Sequence, residues 1–295
     1  MMNGRIGLLS NNWKLSLYLL PAIAVTLLLV GYGTWSAVAQ SFQTIDGEWT
    51  IAAYAELFSS HAFFHSLKLT FRVAILSTLL SLVIGLVMTR MLYELFKDST
   101  SKLLVWVPML IPHFVAGYLV FLFLSQSGLL SSLLYQIGAL ENRENFPVLV
   151  QEKFGIGIIL TYVWKEVPFV ILMLLPVYYE IDHRYSEVVR TLGGSKWDAF
   201  KTVELPWLLP VLIETSVIVV AFVASAFEIP YLLGVTRPEM LPVRAYEWFY
   251  NGDWGKRPLA FSAMILPGVI ALLLATLSIG AVQKHRLRMI KGRSR

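Results

Sequence analysis

The sequence predicts an all-α, polytopic membrane protein with six transmembrane helices. Two observations predict this class. Hydrophobic residues make up 57% of the 295 residues and charged residues only 15%, whereas ordinary soluble domains carry about 25% charged residues. The apolar residues also gather into six segments of about 20 residues, the length that a helix needs to cross the bilayer core. We therefore expect a single transmembrane domain over residues 1–295.

The six predicted spans follow one another along the chain and are joined by polar loops. They cover residues 15–38, 66–89, 103–124, 154–179, 207–234 and 259–282. Tryptophans stand at span ends, as an interfacial aromatic belt requires: Trp13, Trp35, Trp106 and Trp207. In the loop after the third span, Leu129–Ile137 is apolar with interleaved serines, which predicts a short surface helix.

Loop charges predict the orientation in the membrane. If the N-terminus lies in the cytoplasm, the inner segments carry 15 Lys and Arg residues and the outer loops six. The inner set includes Arg5, Lys97 and Lys102, and a basic tail from Lys284 to Arg295. Because Lys and Arg concentrate in cytoplasmic loops, this asymmetry predicts that both termini are cytoplasmic. A basic tail beside so many apolar spans indicates a membrane flank and not a nucleic-acid site.

The first span has a second interpretation as a secretory signal. Basic residues precede its apolar run, and Ala37-Val38-Ala39 resembles an A-x-A cleavage site. The apolar run has about 24 residues, however, whereas the apolar region of a signal peptide has about 7–15. We therefore expect the first span to be retained as a membrane anchor.

The loop between spans four and five, residues 180–206, has the pattern of two short helices joined by a turn. Asp182 or Ser186 can cap the first helix, and Gly193 can end it in the left-handed conformation. Ser195 and Asp198 have the spacing of a capping box for the second helix. We expect Pro206 to stop that helix at the membrane entrance.

The second helix of this loop is predicted to be amphipathic. Trp197, Phe200 and Val203 recur every three residues and so share one face. Such a helical pair on the cytoplasmic side has two interpretations. It is either an elbow that packs on its own spans, or a docking element whose exposed apolar face fits the groove of a partner.

The same loop resembles the EAA motif of permease subunits in binding-protein-dependent ABC importers. That pattern is Glu-Ala-Ala, three residues, Gly, nine residues, Ile, one residue and Leu-Pro. Here Glu187 and Gly193 match, and Val203 is followed by Leu205-Pro206; valines replace both alanines and the isoleucine. The similarity extends from about Trp164 to Pro258 and includes "IDHRYSEVVRTLGGSKWDAF" and "FEIPYLLG". These segments resemble the branch with polyamine, iron(III) and molybdate or sulfate importers.

The resemblance implies a type I ABC importer permease fold in the bacterial cytoplasmic (inner) membrane. It implies two separate ABC ATPase subunits, which bind ATP and Mg²⁺, a second permease subunit, identical or homologous, and an extracytoplasmic solute-binding protein. In this family the loop is a coupling helix that inserts into a cleft of the ATPase subunit. The residues expected to touch that subunit are Glu187, Val188, Val189, Leu192, Gly193 and Gly194.

Several chemistries have no support in the sequence. There is no cysteine, so no thiol nucleophile or zinc–thiolate site exists. No G-x-x-x-x-G-K-[ST] motif is present, so we expect ATP hydrolysis in another polypeptide and no cofactor in this chain. The five histidines, His183 among them, are scattered; His61 and His65 are four residues apart but lack a carboxylate at a fitting interval. We therefore predict no metal site and no enzyme activity.

Four charged residues lie inside predicted spans, where a charge must be paired or hydrated. They are Lys165, Glu166, Glu214 and Glu228. One interpretation is structural, with Lys165 paired to a glutamate or the end charges reaching the interface. The other is that they line a hydrated substrate pathway. Three acids against one base would then suit a cationic solute such as a polyamine.

The principal alternative function is a stand-alone secondary transporter. Lys165 and the glutamates would then form a proton or ion relay. That class predicts inverted repeats, which we do not find, and it leaves the spacing of the cytoplasmic loop unexplained. The prolines inside the spans, such as Pro108, Pro112 and Pro168, are either static kinks or hinges for alternating access.

Overall fold

The computed structural model describes residues 12–95, 104–182, 184–250 and 253–293. Arg5, Lys97, Lys102, His183 and Arg295, which entered the charge and histidine arguments, lie outside this range. The helices within it are α1 (Asn12–Thr26), α2 (Tyr32–Ser41), α3 (Ala52–Ser59), α4 (His61–Leu95), α5 (Val107–Leu110), α6 (His113–Leu124), α7 (Leu129–Gln136), α8 (Ile156–Glu180), α9 (Arg184–Thr191), α10 (Lys196–Ala199), α11 (Leu205–Ser225), α12 (Glu228–Leu233), α13 (Leu241–Tyr250) and α14 (Arg257–Arg293).

The predicted all-α class is confirmed. Across the described ranges the backbone forms helices and no strand; a single antiparallel bridge joins Gln43 to Trp49. Six helical segments in these ranges are long and apolar enough to cross a membrane. The short helix predicted within residues 129–137 is present as α7, and the third membrane-length segment, His113–Gln136, includes it.

Spans three and five are each interrupted; the prolines of span three predicted a kink or hinge there, whereas the break in span five was not predicted. In span three the helix breaks between α5 and α6, where Ile111 and Pro112 are extended. Pro112 has no N–H group, so the Pro108 carbonyl four residues earlier loses its helical donor. In span five α11 ends at Ser225 and α12 starts at Glu228, after an extended Ala226.

Helix α8 is the centre of the bundle. In the most apolar stretch of α8, 67% of the residues are buried. In the corresponding stretch of the first span none is buried, so the first span lies at the periphery. Helix α8 packs against α4 and α11. Gly85 of α4 sits directly on α8, since a Cβ atom there would lie 2.5 Å from Cγ1 of Val170. A small residue thus allows the two backbones to approach closely, as is common between membrane helices.

The loop at residues 180–206 and the long loop before the last span lie at opposite ends of α4. Residues at the C-terminal end of α4, Arg90 and Glu94, line a cavity with the loop after span four. His65, near its N-terminal end, lines another with the segment from Thr236 to Lys256. A helix of 35 residues is about 52 Å long, which exceeds the ~30 Å of the hydrocarbon core.

Candidate functional site

The first helix of the loop at residues 180–206, α9, is closed at both ends by local hydrogen bonds. The Asp182 carboxylate accepts a bond of 3.1 Å from the backbone N–H of Arg184, as predicted for a capping residue. At the other end Gly193 has φ +86°, and its N–H donates to the Arg190 carbonyl. The N–H of Gly194 donates to the Val189 carbonyl. These two bonds form a Schellman motif, which confirms the predicted role of Gly193.

The predicted capping box opens the second helix. The Asp198 N–H donates to Oγ of Ser195 over 3.2 Å, and the Ser195 N–H donates to Oδ2 of Asp198 over 2.9 Å. The N–H groups of Ser195 and Asp198, which have no partner within the helix, are therefore both hydrogen-bonded within the loop itself. The loop reaches its shape without needing a partner, so it is pre-organised.

The prediction that Pro206 ends the second helix is wrong. The backbone runs from Lys196 to Ser225 without a break, through a π-helical turn at Phe200–Glu204. Pro206 lies in the first turn of α11, immediately after the π-helical turn. The wider turn accommodates the missing N–H of the proline, so the second helix of the loop and span five form one continuous rod.

The residues expected to touch an ATPase subunit differ in exposure. Glu187 and Gly193 are exposed, Val188 is 54% exposed and Leu192 is 82% exposed. Val189 is half-buried and packs against the protein's own core beside Phe200 and Val203. Gly194 is also half-buried, because it lies against Val189.

The two interpretations of the loop therefore each describe part of it. The Phe200 and Val203 side chains form an elbow on the chain's own spans, while Trp197 is 60% exposed and stacks on Phe200 at 5.2 Å between ring centroids. Beside it lies an open cavity of about 640 Å³ lined by Arg90, Arg190 and Trp197. The exposed side of the loop is the side available to a partner.

Lys165 is bound by backbone carbonyls and not by a glutamate. Its Nζ atom donates to the carbonyl oxygens of Pro108 over 2.7 Å and Ile111 over 2.5 Å. These carbonyls are at the break between α5 and α6, where the helical donors are missing. The ammonium group therefore caps α5 and compensates for the interruption that Pro112 causes.

Lys165 and Glu166 also line a small cavity inside the bundle. Both residues are buried, at 3% and 8% exposure. The cavity has a volume of about 240 Å³ and is otherwise lined by residues of α5, α6, α8 and α11: Met109, His113, Phe169, Ile218 and Phe222. This cavity volume is below the ~300–1,000 Å³ of typical ligand pockets. The cavity therefore has room for a small solute or part of a larger one.

The other two intramembrane acids lie outside this cavity. Glu214 is half-buried on α11 and Glu228 is exposed in the first turn of α12. His113 and Phe222 were not identified from the sequence as cavity residues. Pro112 was the available signal, since a break in a span exposes the residues beside it.

Among the described residues no group of three or more His, Asp or Glu side chains is arranged to hold a metal ion.

Comparison with known proteins places this architecture in a family. The family model "Binding-protein-dependent transport system inner membrane component" matches residues 81–291. The chain is 26% identical over 261 residues to the molybdate/tungstate transport system permease protein WtpB of Thermococcus kodakarensis, covering 88% of this chain and 94% of that protein. It is 28% identical over 151 residues to the probable sulfate transport system permease protein cysT of Chlorella vulgaris, covering 51% of this chain and spanning about half, 52%, of that protein.

A solved structure has a similar fold. It is the crystal structure of a bacterial ABC transporter involved in the import of the acidic polysaccharide alginate; one chain superposes with a TM-score of 0.77 at 21% identity, covering 93% of this chain and 96% of that chain. The matched family region includes the loop at residues 180–206, both interrupted spans and the cavity inside the bundle. This chain belongs to the family of inner membrane components of binding-protein-dependent transport systems.

Proposed function

We propose that this protein is the permease subunit of an ATP-driven ABC importer, which forms the translocation pathway and couples it to separate ATPase subunits. The observation that carries the proposal is the cytoplasmic loop. It is pre-organised by its own caps and presents Leu192 with 82% exposure. Val188 and Trp197 of the same loop are also exposed, at 54% and 60%, and a group of exposed apolar side chains is typical of a surface that a partner covers. Family membership does not favour the secondary transporter.

The proposed assembly contains two ABC ATPase subunits, which bind ATP and Mg²⁺, and a second permease subunit, identical or homologous. An extracytoplasmic solute-binding protein delivers the solute, and membrane lipid surrounds the spans. Both termini lie in the cytoplasm, so the loop at 180–206 is on the same side as the ATPase subunits. The chain itself binds no nucleotide.

Cross-linking tests the docking role of the loop. Because the natural chain has no cysteine, Leu192→Cys introduces a unique site for a photoreactive maleimide. Illumination of membranes that contain the whole transporter is expected to join this position to a polypeptide with a P-loop ATPase sequence. Ile137→Cys is the matched control, since Ile137 is 74% exposed but follows α7 at the opposite end of α8. No ATPase adduct from position 192, or equal adducts from both positions, would contradict the proposal.

We further propose that the cavity beside Lys165 and Glu166 is part of the pathway and that the solute is small and charged. The Lys165 ammonium is engaged by two carbonyls, which leaves Glu166 as the acid available to a cationic solute such as a polyamine. The relatives named for molybdate, tungstate and sulfate favour a second candidate, an oxyanion.

Uptake measurements separate the two candidates. We expect cells that express the complete transporter to accumulate radiolabelled spermidine. Glu166→Gln is expected to reduce this uptake about tenfold, the effect of losing ~1.4 kcal/mol of interaction. Glu214→Gln, a change of the same kind outside the cavity, is expected to have the smaller effect. Uptake of sulfate or molybdate in place of spermidine would establish the oxyanion, and normal transport by both variants would remove the pathway role.

A further inference from the structure

A buried polar cluster joins the cytoplasmic loop to two spans. Glu204, in the π-helical turn, is 5% exposed. Its Oε2 atom accepts a hydrogen bond of 3.2 Å from the Tyr178 hydroxyl, at the end of α8. Its Oε1 atom lies 3.4 Å from Nη2 of Arg90, near the end of α4. One carboxylate of the π-helical turn therefore contacts two other elements, α8 and α4, near their C-terminal ends.

The cluster packs on aromatic side chains, and Glu204 and Arg90 also line the open cavity of about 640 Å³ together with Arg190 and Lys196. The Arg90 guanidinium lies 5.8 Å from the centre of the Phe200 ring, and Tyr93 packs on Tyr178 with 5.7 Å between ring centroids. The Glu204 side chain is 7% exposed and that of Arg90 33%. A carboxylate buried in this way depends strongly on its partners, because its removal from water is offset only by close opposite charges and donors.

The π-helical turn explains why Glu204 points inward. A π turn inserts one residue into the helix, which rotates the following side chains by about 100° relative to a regular α-helix. The turn begins directly after the capped start of the second loop helix and leads into α11. Glu204 is thus fixed to the same rod as the loop.

We infer that Glu204 is a positioning residue that ties the cytoplasmic loop to α4 and α8 through Arg90 and Tyr178, so that all three move as one body when the ATPase subunits change state. The inference rests on the proposed function, because it takes the loop to be the docking element. It adds the route by which displacement of the loop reaches the spans next to the intramembrane cavity.

The test measures the distance between the loop and α4 by pulsed electron paramagnetic resonance in the complete transporter. Spin labels are attached at Arg184→Cys and Met91→Cys, both exposed positions, in a chain that has no other cysteine. In the otherwise natural protein we expect one narrow distance distribution whose mean is unchanged by ATP and Mg²⁺. In Glu204→Gln we expect a broader distribution whose mean shifts when ATP is added.

Two further variants isolate the cluster. Tyr178→Phe removes a single hydroxyl group and is expected to broaden the distance distribution less than Glu204→Gln. If Glu204→Gln does not fold, Tyr178→Phe alone tests whether the cluster holds the loop. Glu94→Gln is the matched control, because Glu94 also contacts Arg90, at 3.0 Å, but its side chain is 57% exposed. We expect Glu94→Gln to behave like the natural protein.

Distances that are the same in Glu204→Gln, Tyr178→Phe and the natural protein would overturn the inference. So would an ATP-dependent shift in the natural protein, since the loop would then move independently of α4. Failure of the proposed function gives a different result. If no ATPase subunit accompanies the protein, ATP changes no distribution, whereas the width of the nucleotide-free distribution still shows whether Glu204 holds the loop.

Discussion

At the scale of single residues, buried charges are matched to specific partners, some of them distant in sequence. Lys165 caps carbonyls of a broken helix, one of them 57 residues away along the chain. Glu239, in the loop before the last span, lies 2.9 Å from Arg244, whose Nε atom also donates to Ser66. Each of these charges is buried with its partner, so the loss of one member leaves the other unsatisfied.

Replacement of Lys165 by methionine is expected to destabilise the bundle. The change keeps most of the side-chain volume but removes the ammonium donor from both carbonyls, so that Pro108 keeps only the 3.4 Å bond from the Ile111 N–H. A hydrogen bond to a charged group contributes ~1.5–3 kcal/mol, so we expect a clearly lower melting temperature of the purified protein in detergent. Lys201→Met is the control, since Lys201 is exposed. If Lys165→Met melted at the same temperature as the Lys201→Met control, the Lys165 cap would contribute nothing to stability.

Glu239 is expected to make stability depend on pH. Burial is the main cause that raises the pKa of its carboxyl group from 4.5 to about 7, although Arg244 acts in the opposite direction. The folded protein therefore holds this proton more tightly than the unfolded chain. The resulting stabilisation is complete below about pH 4.5 and is lost as pH rises through about 7.

The measurement compares melting temperatures at pH 5 and pH 8. The natural protein is expected to lose more stability over this interval than Glu239→Gln, which has no proton to release. Glu141→Gln, an exposed change of the same kind, is expected to follow the natural protein. Equal pH dependence in all three proteins would refute the role of Glu239.

The sequence predicted residue roles well where the partner is local. Gly193, Ser195 and Asp198 act within three or four residues of themselves, so spacing alone identified their caps. The partner of Lys165 was not predictable in this way. Its identity depends on where the chain breaks in another span, which follows from tertiary packing.

At the scale of elements, interruptions position the functional groups. The break between α5 and α6 exposes the carbonyls that bind Lys165 and places Met109 and His113 at the cavity. The π-helical turn at Phe200–Glu204 carries the loop into span five and turns Glu204 inward. Irregular backbone at membrane depth is tolerated where protein groups satisfy it, as they do here.

The turn between the two loop helices is expected to be sensitive to a single methyl group. In Gly194→Ala the added Cβ atom would lie 2.6 Å from Cγ1 of Val189 and 2.9 Å from its carbonyl oxygen. Overpacking of this kind costs about 1–3 kcal/mol. We expect faster amide hydrogen exchange across residues 184–199, measured by mass spectrometry.

Gly268→Ala provides the control, because a Cβ atom there meets nothing within 4 Å. This variant is expected to exchange like the natural protein throughout the loop. Unchanged exchange in Gly194→Ala would mean that the two loop helices are not held at their present spacing by the glycine.

Helix type and approximate position followed from apolar periodicity and length, but helix ends and breaks did not. Pro112 and Pro206 show the reason. Both lack an N–H group, yet Pro112 coincides with a break and Pro206 lies in a continuous helix that follows a π turn. Proline identity fixes the loss of a donor, whereas the surrounding packing decides how the backbone accommodates it.

At the scale of the whole molecule, α8 links the cavity inside the bundle to the loop at residues 180–206. Lys165 and Glu166 lie in its first half, and Tyr178, near its end, contacts Glu204. Helix α4 runs beside it from the outer segment to the loop. The six-helix class was predictable from composition, since it depends on total apolar length. The central position of α8 was not, because it depends on which faces of the spans meet.

The most direct test of the account is whether the protein binds a separate ATPase subunit through its cytoplasmic loop. The complete transporter is solubilised in detergent and purified through an affinity tag on this chain, beside the Glu187→Lys and Gly193→Pro double variant. We predict stoichiometric recovery of an ABC ATPase subunit with the natural protein and its loss with the variant, while both permeases stay monodisperse. A monodisperse natural protein without any nucleotide-binding partner would contradict the account.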